Sequence, residues 1–269
     1  MNFPVIIRGG GDLASGVALR LHRAGIRLGI VELEQPLAVR RSVAFAQAVY
    51  AGSMEVEGVT ARCAANLAEA EKISAQGEIP VLVDPNLSSL SSLALLALVD
   101  ARMTKKPPET GLDAAPLVIG LGPGFIAGEN CHAVVETVRG HNLGRVFWRR
   151  SASPDSGVPG AIATYNLDRV LRAPAAGRVQ AKVEIGQHLK SSELIAVIGA
   201  EELRAPFDGV LRGLVHPSLE VHKGMKIGDL DPRNDPSYCS RVSDKALAIG
   251  GGVLEALLAK PEIRARLWA

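Results

Sequence analysis

The chain has 269 residues, 47% hydrophobic and 22% charged, enough for one large core or for a medium core beside a small one. Thirty basic against 28 acidic residues leave a net charge of +2 with no basic tract, which argues against nucleic acid as a partner. Cys63, Cys131 and Cys239 are widely spaced, odd in number and without a C-x-x-C pair, so neither a disulfide framework nor a zinc site is expected. The chain opens on no signal-like segment and holds no run of about 18 apolar residues, so it reads as a soluble cytoplasmic protein with no membrane partner.

Up to Arg150, short β-branched runs alternate with amphipathic stretches. Val5–Ile7, Leu28–Leu33, Val81–Val83, Leu95–Val99, Leu117–Leu121 and Arg145–Trp148 predict strands, and Ala14–Ala24, Val39–Ala48 and Leu67–Ala75 predict helices from apolar residues spaced by three and four. Continuous apolar strands separated by helices predict an α/β domain over residues 1–150, a Rossmann-like parallel sheet with helices on both faces. Such sheets bind ligands beyond the carboxyl ends of their strands, so the residues just after each strand are the candidates.

After the first predicted strand come Arg8 and then Gly9, Gly10, Gly11, Asp12, Leu13 and Ala14, which fits G-x-G-x-x-A. Gly9 and Gly11 would let the backbone approach a phosphate, and the following helix would aim N–H groups at it. Asp12 counts against this, because a carboxylate at the helix start can itself take those N–H groups. Glu32 and Glu34 follow about 20 residues on, where an acid would bond a ribose hydroxyl and favour NAD over NADP. Further strand ends carry Asp84, then Asp100, Arg102, Lys105 and Lys106. Each alone reads as a solvated loop residue, but together they line one rim with charges suited to a phosphate-bearing ligand. Gly120, Gly122, Gly124 and Gly128 form a second glycine-rich connection. The helix predicted after it carries His132 and Glu136 at i and i+4, spaced for two metal ligands, an acid/base pair or an ordinary surface pair. With no third ligand identified, no metal is assigned.

The Pro, Ser and Gly content of Ser151–Gly160 predicts a linker. Beyond it, LRAPAAGRV at Leu171–Val179 recurs as LRAPFDGVL at Leu203–Leu211, a displacement of 32 residues. Two β-rich halves with an AP-x-x-G corner resemble the barrel-sandwich hybrid of biotinyl and lipoyl carrier domains. The hairpin between the halves, Val197–Pro206, lacks the carrier lysine, so no covalent biotin or lipoate is expected. This smaller all-β domain is placed at 151–232, with a C-terminal helical segment at 233–269. There Ser243 or Asp244 caps a helix interrupted by Gly250, Gly251 and Gly252, each costing about 1 kcal/mol relative to alanine, so a close packing contact or a ligand should account for them. Asp229, Asp231 and Arg233 either close over the first domain's cleft or form a polar turn, and Cys239 reads as a small packing residue.

The segments IRGGGDLASG, VRRSVAFAQAVYAG, VDARMTKK, GLGPGFIAGENCHAVVET, APAAG, APFDG, KIGDLDPR and SDKALAIGGGVLEAL span nearly the whole chain. In their order and density they resemble the YqeB family, accessory proteins of selenium-dependent molybdenum hydroxylase systems. The resemblance implies that the protein helps a xanthine-dehydrogenase-like client acquire its finished molybdenum cofactor, and relates the N-terminal half to the Rossmann-like domain of XdhC-type accessory proteins. It supplies no catalytic residues. The molybdenum cofactor of bacterial hydroxylases is commonly a pterin joined to a nucleotide through a pyrophosphate, which the glycine turn would suit. A pterin dinucleotide or related nucleotide is therefore the expected ligand, and a non-catalytic accessory protein the expected type. Two other readings stand beside it: an NAD-dependent oxidoreductase with Glu32 on the ribose and His132 as the nearest acid/base, and a docking module without catalysis. Homo-oligomerisation is left open.

Overall fold

The computed structural model describes residues 3–89, 93–155 and 169–268; the linker expected at Ser151–Gly160 lies partly outside the described residues. The chain runs β1 (Val5–Arg8), α1 (Asp12–Arg23), β2 (Leu28–Glu32), α2 (Ala48–Ala51), β3 (Ser53–Val56), β4 (Val59–Ala64), α3 (Leu67–Ala75), β5 (Ile79–Val83), β6 (Ala97–Asp100), β7 (Leu117–Leu121), β8 (Ala133–Val135) and β9 (Val146–Phe147). There follow β10 (Val170–Arg172), β11 (Gly177–Ala181), β12 (His188–Leu189), β13 (Leu194–Ile198), β14 (Glu201–Arg204), β15 (Gly209–Leu214), β16 (Glu220–Val221), β17 (Lys226–Asp231), α4 (Ser237–Ser240), α5 (Asp244–Leu258) and α6 (Pro261–Arg264). Two compact units divide the chain, one made of Met1–Pro36, Ala44–Asp155 and Val242–Ala269, the other of Leu37–Val43 and Ser156–Arg241. No helix among the described residues is long and apolar enough to cross a membrane.

The first unit is built on a nine-stranded sheet in the order β3-β4-β5-β2-β1-β6-β7-β8-β9. Its middle is parallel, while β3 and β9 pair antiparallel at the two edges. The expected fold class, a parallel Rossmann-like sheet clothed by helices on both faces and joined to a biotinyl-like barrel, is therefore corrected. The sheet is mixed, and the chain between β6 and β7 and between β7 and β8 holds no α-helix. Pro107, Pro108 and Gly111 break the first of these connections, and Gly122, Pro123, Gly124 and Gly128 the second. Part of the helical cover comes instead from α5, which packs against α1 and against β7, β8 and β9.

Two predicted helices are absent. In Val39–Ala48 the Phe45 N–H donates to Ser15 Oγ at 2.8 Å and the Ala46 N–H to the Gly10 carbonyl at 2.8 Å, so these donors serve α1 and the glycine turn instead of a carbonyl one turn back. Only α2 and short 3-10 turns remain there. The helix expected to carry His132 and Glu136 is the strand β8, buried at all three residues and paired with β7. Consecutive β-branched Val134 and Val135 suit that pleated, enclosed position.

Among its described residues the second unit is built on two four-stranded antiparallel sheets, β10-β17-β15-β12 and β14-β13-β11-β16. The 32-residue displacement carries β10, β11, β12 and β13 onto β14, β15, β16 and β17, and carries one sheet's strand order onto the other's. Each sheet takes strands from both copies of the repeat. Among the described residues no strand pairing joins the two sheets. Leu171, Val179, Ile195, Leu211, Val221 and Ile227 belong to one core between them.

Candidate functional site

The carboxyl ends of β1, β2, β5 and β6 form one rim, because these strands are parallel neighbours with Arg8 in register with Val31 and Asp100, and Glu32 with Val83. Gly9 turns the chain away from β1 at φ +93°, and its N–H donates to the Val31 carbonyl at 2.8 Å. A Cβ at Gly9 would stand 3.4 Å from Arg102 Cγ, so the turn and the Arg102 side chain lie against each other. A Cβ at Gly10 would meet the Ala46 nitrogen at 2.9 Å, whereas one at Gly11 would meet nothing within 4 Å. The turn is closed on one side and open at Gly11, where α1 begins.

The internal hydrogen bonds change what this turn can offer a ligand. The Gly10 N–H donates to Glu32 Oε2 at 2.6 Å, and the Leu33 N–H to Glu32 Oε1 at 2.8 Å. Burial pushes the Glu32 carboxyl above its ordinary range, against the pull of these two N–H groups. The acid expected to face a ribose thus holds its own backbone. Asp12 accepts from the Leu13 N–H at 3.0 Å, as a helix-start carboxylate can.

The positive charge of the rim comes from two arginines. Arg8, with an 8% exposed side chain, donates to Thr110 Oγ1 at 2.6 Å and to the Pro85 carbonyl at 2.8 Å, and its Nη2 stands 2.8 Å from Glu109 Oε1. Arg102 forks onto Asp100, which is wholly buried, through Nε at 3.0 Å and Nη2 at 2.6 Å, and reaches Glu109 Oε1 through Nη1 at 2.7 Å. Burial works against the Arg102 charge, but the Asp100 and Glu109 carboxylates hold its guanidinium above its ordinary value. Reciprocally, the Arg102 hydrogen bonds, assisted by a backbone N–H and the Arg8 charge, pull the Glu109 carboxyl down to about 2. Glu109 and Thr110 were not among the sequence candidates. A Thr beside an acid between a Pro-Pro pair and a glycine was the available signal, and it does not say where the loop goes.

The remaining candidates are dispersed. Asp84 is tied into its own loop, accepting from the N–H and hydroxyl groups of both Ser88 and Ser89. Lys105 pairs with Asp155 at 2.6 Å. The second glycine connection serves packing: Cβ atoms at Gly122 and Gly124, both at positive φ, would stand 2.6 Å from Thr137 Oγ1 and 2.7 Å from the Lys106 carbonyl. His132 is at the opposite end of the sheet from the rim, where its Nδ1 accepts from the Val118 N–H at 2.9 Å and its own N–H donates to the Val118 carbonyl. Burial and then Lys260 lower its pKa. Glu136 accepts from the N–H groups of Thr137, Val138 and Ser153. Four residues apart in extended chain, His132 and Glu136 are separated by roughly 13 Å, too far for a shared ion or proton. Among the described residues no three His, Cys, Asp or Glu side chains are grouped to hold a metal ion.

The carboxylates give a pH expectation. Burial raises the Asp84 and Glu136 pKa values, but their hydrogen bonds outweigh it, so both lie below their ordinary 3.8 and 4.5. Folded values below unfolded ones mean that this stability is complete above about pH 4.5 and is lost as pH falls through the lowered folded values. Thermal melts from pH 6 to pH 2.5 should show the midpoint falling below pH 4.5, with a smaller fall in Glu136→Gln than in the wild type.

No known family profile matches the chain. Over 254 residues, 94% of its length, it is 52% identical to the Escherichia coli (strain K12) protein named "Uncharacterized protein YqeB". The chain is a relative of YqeB. It spans 47% of that protein, about half its length. Solved structures similar to the chain include an aspartoacylase family protein from Mesorhizobium loti, at 12% identity over 85% of both chains with a TM-score of 0.28. Another is the ectoine utilization protein EutE (DoeB) from Ruegeria pomeroyi, at 10% identity over 85% and 86% of the two chains with a TM-score of 0.27. At these scores the likeness assigns no activity.

Proposed function

We propose that this relative of YqeB is an accessory protein that holds a nucleotide-bearing molybdenum cofactor, a pterin dinucleotide, at the carboxyl rim of its mixed sheet while a selenium-dependent molybdenum hydroxylase matures. The observation that carries the reading is the convergence of Arg8 and Arg102 beside a glycine turn that stays open at Gly11. Guanidinium forks and close backbone suit the phosphate oxygens of such a ligand. The client enzyme and the selenium connection rest on the sequence resemblance alone.

The NAD-dependent oxidoreductase reading is less well supported. Glu32 is engaged by Gly10 and Leu33, and His132 lies at the far end of the sheet, which counts against Glu32 as the ribose partner and against His132 as an acid/base opposite a nicotinamide. The test is anaerobic thermal melting of the full chain with pterin nucleotide released from a molybdenum hydroxylase, compared with NAD, NADP, CTP and GMP. A ligand at 100 times its Kd stabilises by about 2.7 kcal/mol. Selective stabilisation by the pterin nucleotide supports the proposal; stabilisation by NAD alone, or by nothing in the panel, sinks it.

A further inference from the structure

The ion pairs at the rim are unevenly buried. Asp100 is wholly enclosed and forks with Arg102, a pairing fixed within two residues of sequence. Glu109, which the guanidinium groups of Arg8 and Arg102 share, has a 66% exposed side chain. Its Oε1 stands 2.8 Å from Arg8 Nη2 and 2.7 Å from Arg102 Nη1, and its Oε2 3.3 Å from Arg102 Nη2. A buried guanidinium requires an anion, because desolvating an uncompensated charge is costly. Here Arg8 meets that requirement through a carboxylate that reaches in from solvent on a loop, while its hydrogen bonds to Thr110 and Pro85 fix its direction.

We propose that the Arg8–Arg102 pair is a binding subsite for the diphosphate group of a nucleotide, and that Glu109 occupies it until the ligand's phosphate takes its place. The inference rests on the reading of this rim as a nucleotide seat. A phosphate presents the same planar pair of oxygens to a guanidinium fork as a carboxylate does, so the exchange keeps both arginines compensated. The Arg102 stem lies against Gly9, and the turn beyond it is open at Gly11, so a second phosphate linked to the first has room there. This favours a diphosphate over a single phosphate or a carboxylate. Glu109 and the ligand compete for the same donors, and every nucleotide bound must displace one exposed carboxylate. Charge loss at Glu109 should therefore tighten binding, whereas loss of a group that merely shapes the loop should weaken it.

The experiment is calorimetric titration of the full chain with inorganic pyrophosphate and, separately, with orthophosphate. Glu109→Gln is expected to bind pyrophosphate at least about fivefold more tightly than the wild type, with pyrophosphate preferred over orthophosphate. Glu129→Gln, which removes an exposed carboxylate from the second glycine-rich loop, should leave the affinity unchanged and so controls for general charge. Equal affinity in wild type and Glu109→Gln, an equal gain in Glu129→Gln, or no binding by either protein overturns the proposal. Pterin nucleotide bound equally by wild type and Glu109→Gln would remove this inference and leave the proposed function standing. Tighter pyrophosphate binding by Glu109→Gln in a protein that binds no pterin nucleotide would keep the subsite and remove that function.

Discussion

Asp229→Ala is expected to be among the most destabilising single substitutions in the second unit, by about 3–5 kcal/mol. Asp229 lies in β17, between β10 and β15, and is 2% exposed. Its carboxylate pairs with Arg169 on one side and with Arg212 Nη2 at 2.5 Å on the other. Arg212 continues to Asp231 at 2.9 Å, and Arg233 closes the series on Asp231 at 2.6 Å. Removing Asp229 leaves two guanidinium groups, each with 11% side-chain exposure, short of the charge they share. Asp229, Asp231 and Arg233, expected either to close over a cleft or to form a polar turn, thus belong to a largely buried ionic series within their own unit. Urea unfolding of the full chain checks this. Glu220→Ala, which breaks the 3.8 Å pair between exposed Arg178 and Glu220, should leave the midpoint unchanged because such pairs contribute little. If the two variants unfold alike, the Asp229 series has no stabilising role.

The sequence was most informative where one element's own pattern decides its fate. α3 coincides with the predicted Leu67–Ala75, since its apolar face and its cap, Asn66 accepting from the Glu69 N–H at 3.0 Å, are local. The 32-residue repeat was legible because each half carries the same corner, but the eight strands it relates came from the structure. Sheet composition was less so. The hairpin of β3 and β4 lacks an apolar run, and β8 was read as helix because four-residue spacing in HAVVE suits a helix as well as a strand with both faces buried. At the rim, Arg8, Gly9, Asp100 and Arg102 were legible because the ends of parallel strands meet by topology. Glu109 was not, because it reaches Arg8 across about a hundred residues of chain and no local pattern encodes that contact.

The triplet Gly250-Gly251-Gly252 should separate packing from helix propensity, with Gly252→Ala lowering stability and Gly251→Ala raising it. Three adjacent glycines cost a helix about 1 kcal/mol each relative to alanine, so α5 must gain something at some of them. A Cβ at Gly252 would stand 2.1 Å from the Gly144 carbonyl and 2.9 Å from Val135 Cγ1, and one at Gly250 would stand 2.7 Å from the Gly16 carbonyl in α1. The approach is mutual: a Cβ on Gly16 would meet Ala246 Cβ at 2.6 Å, and one on Gly144 the Ala248 carbonyl at 2.5 Å. Backbone cannot yield as a flexible side chain does, so Gly252→Ala should cost about 1–3 kcal/mol through overpacking, despite its better propensity. Gly251 faces open space, and alanine there should stabilise by about 0.4–1 kcal/mol because it narrows the unfolded ensemble and suits the helix. Opposite shifts in melting temperature would establish that α5 is held close to α1 and β8 by glycines on its inner face. Equal stabilisation by both substitutions would mean that the helix does not press on Gly144, and that the triplet answers to something other than packing.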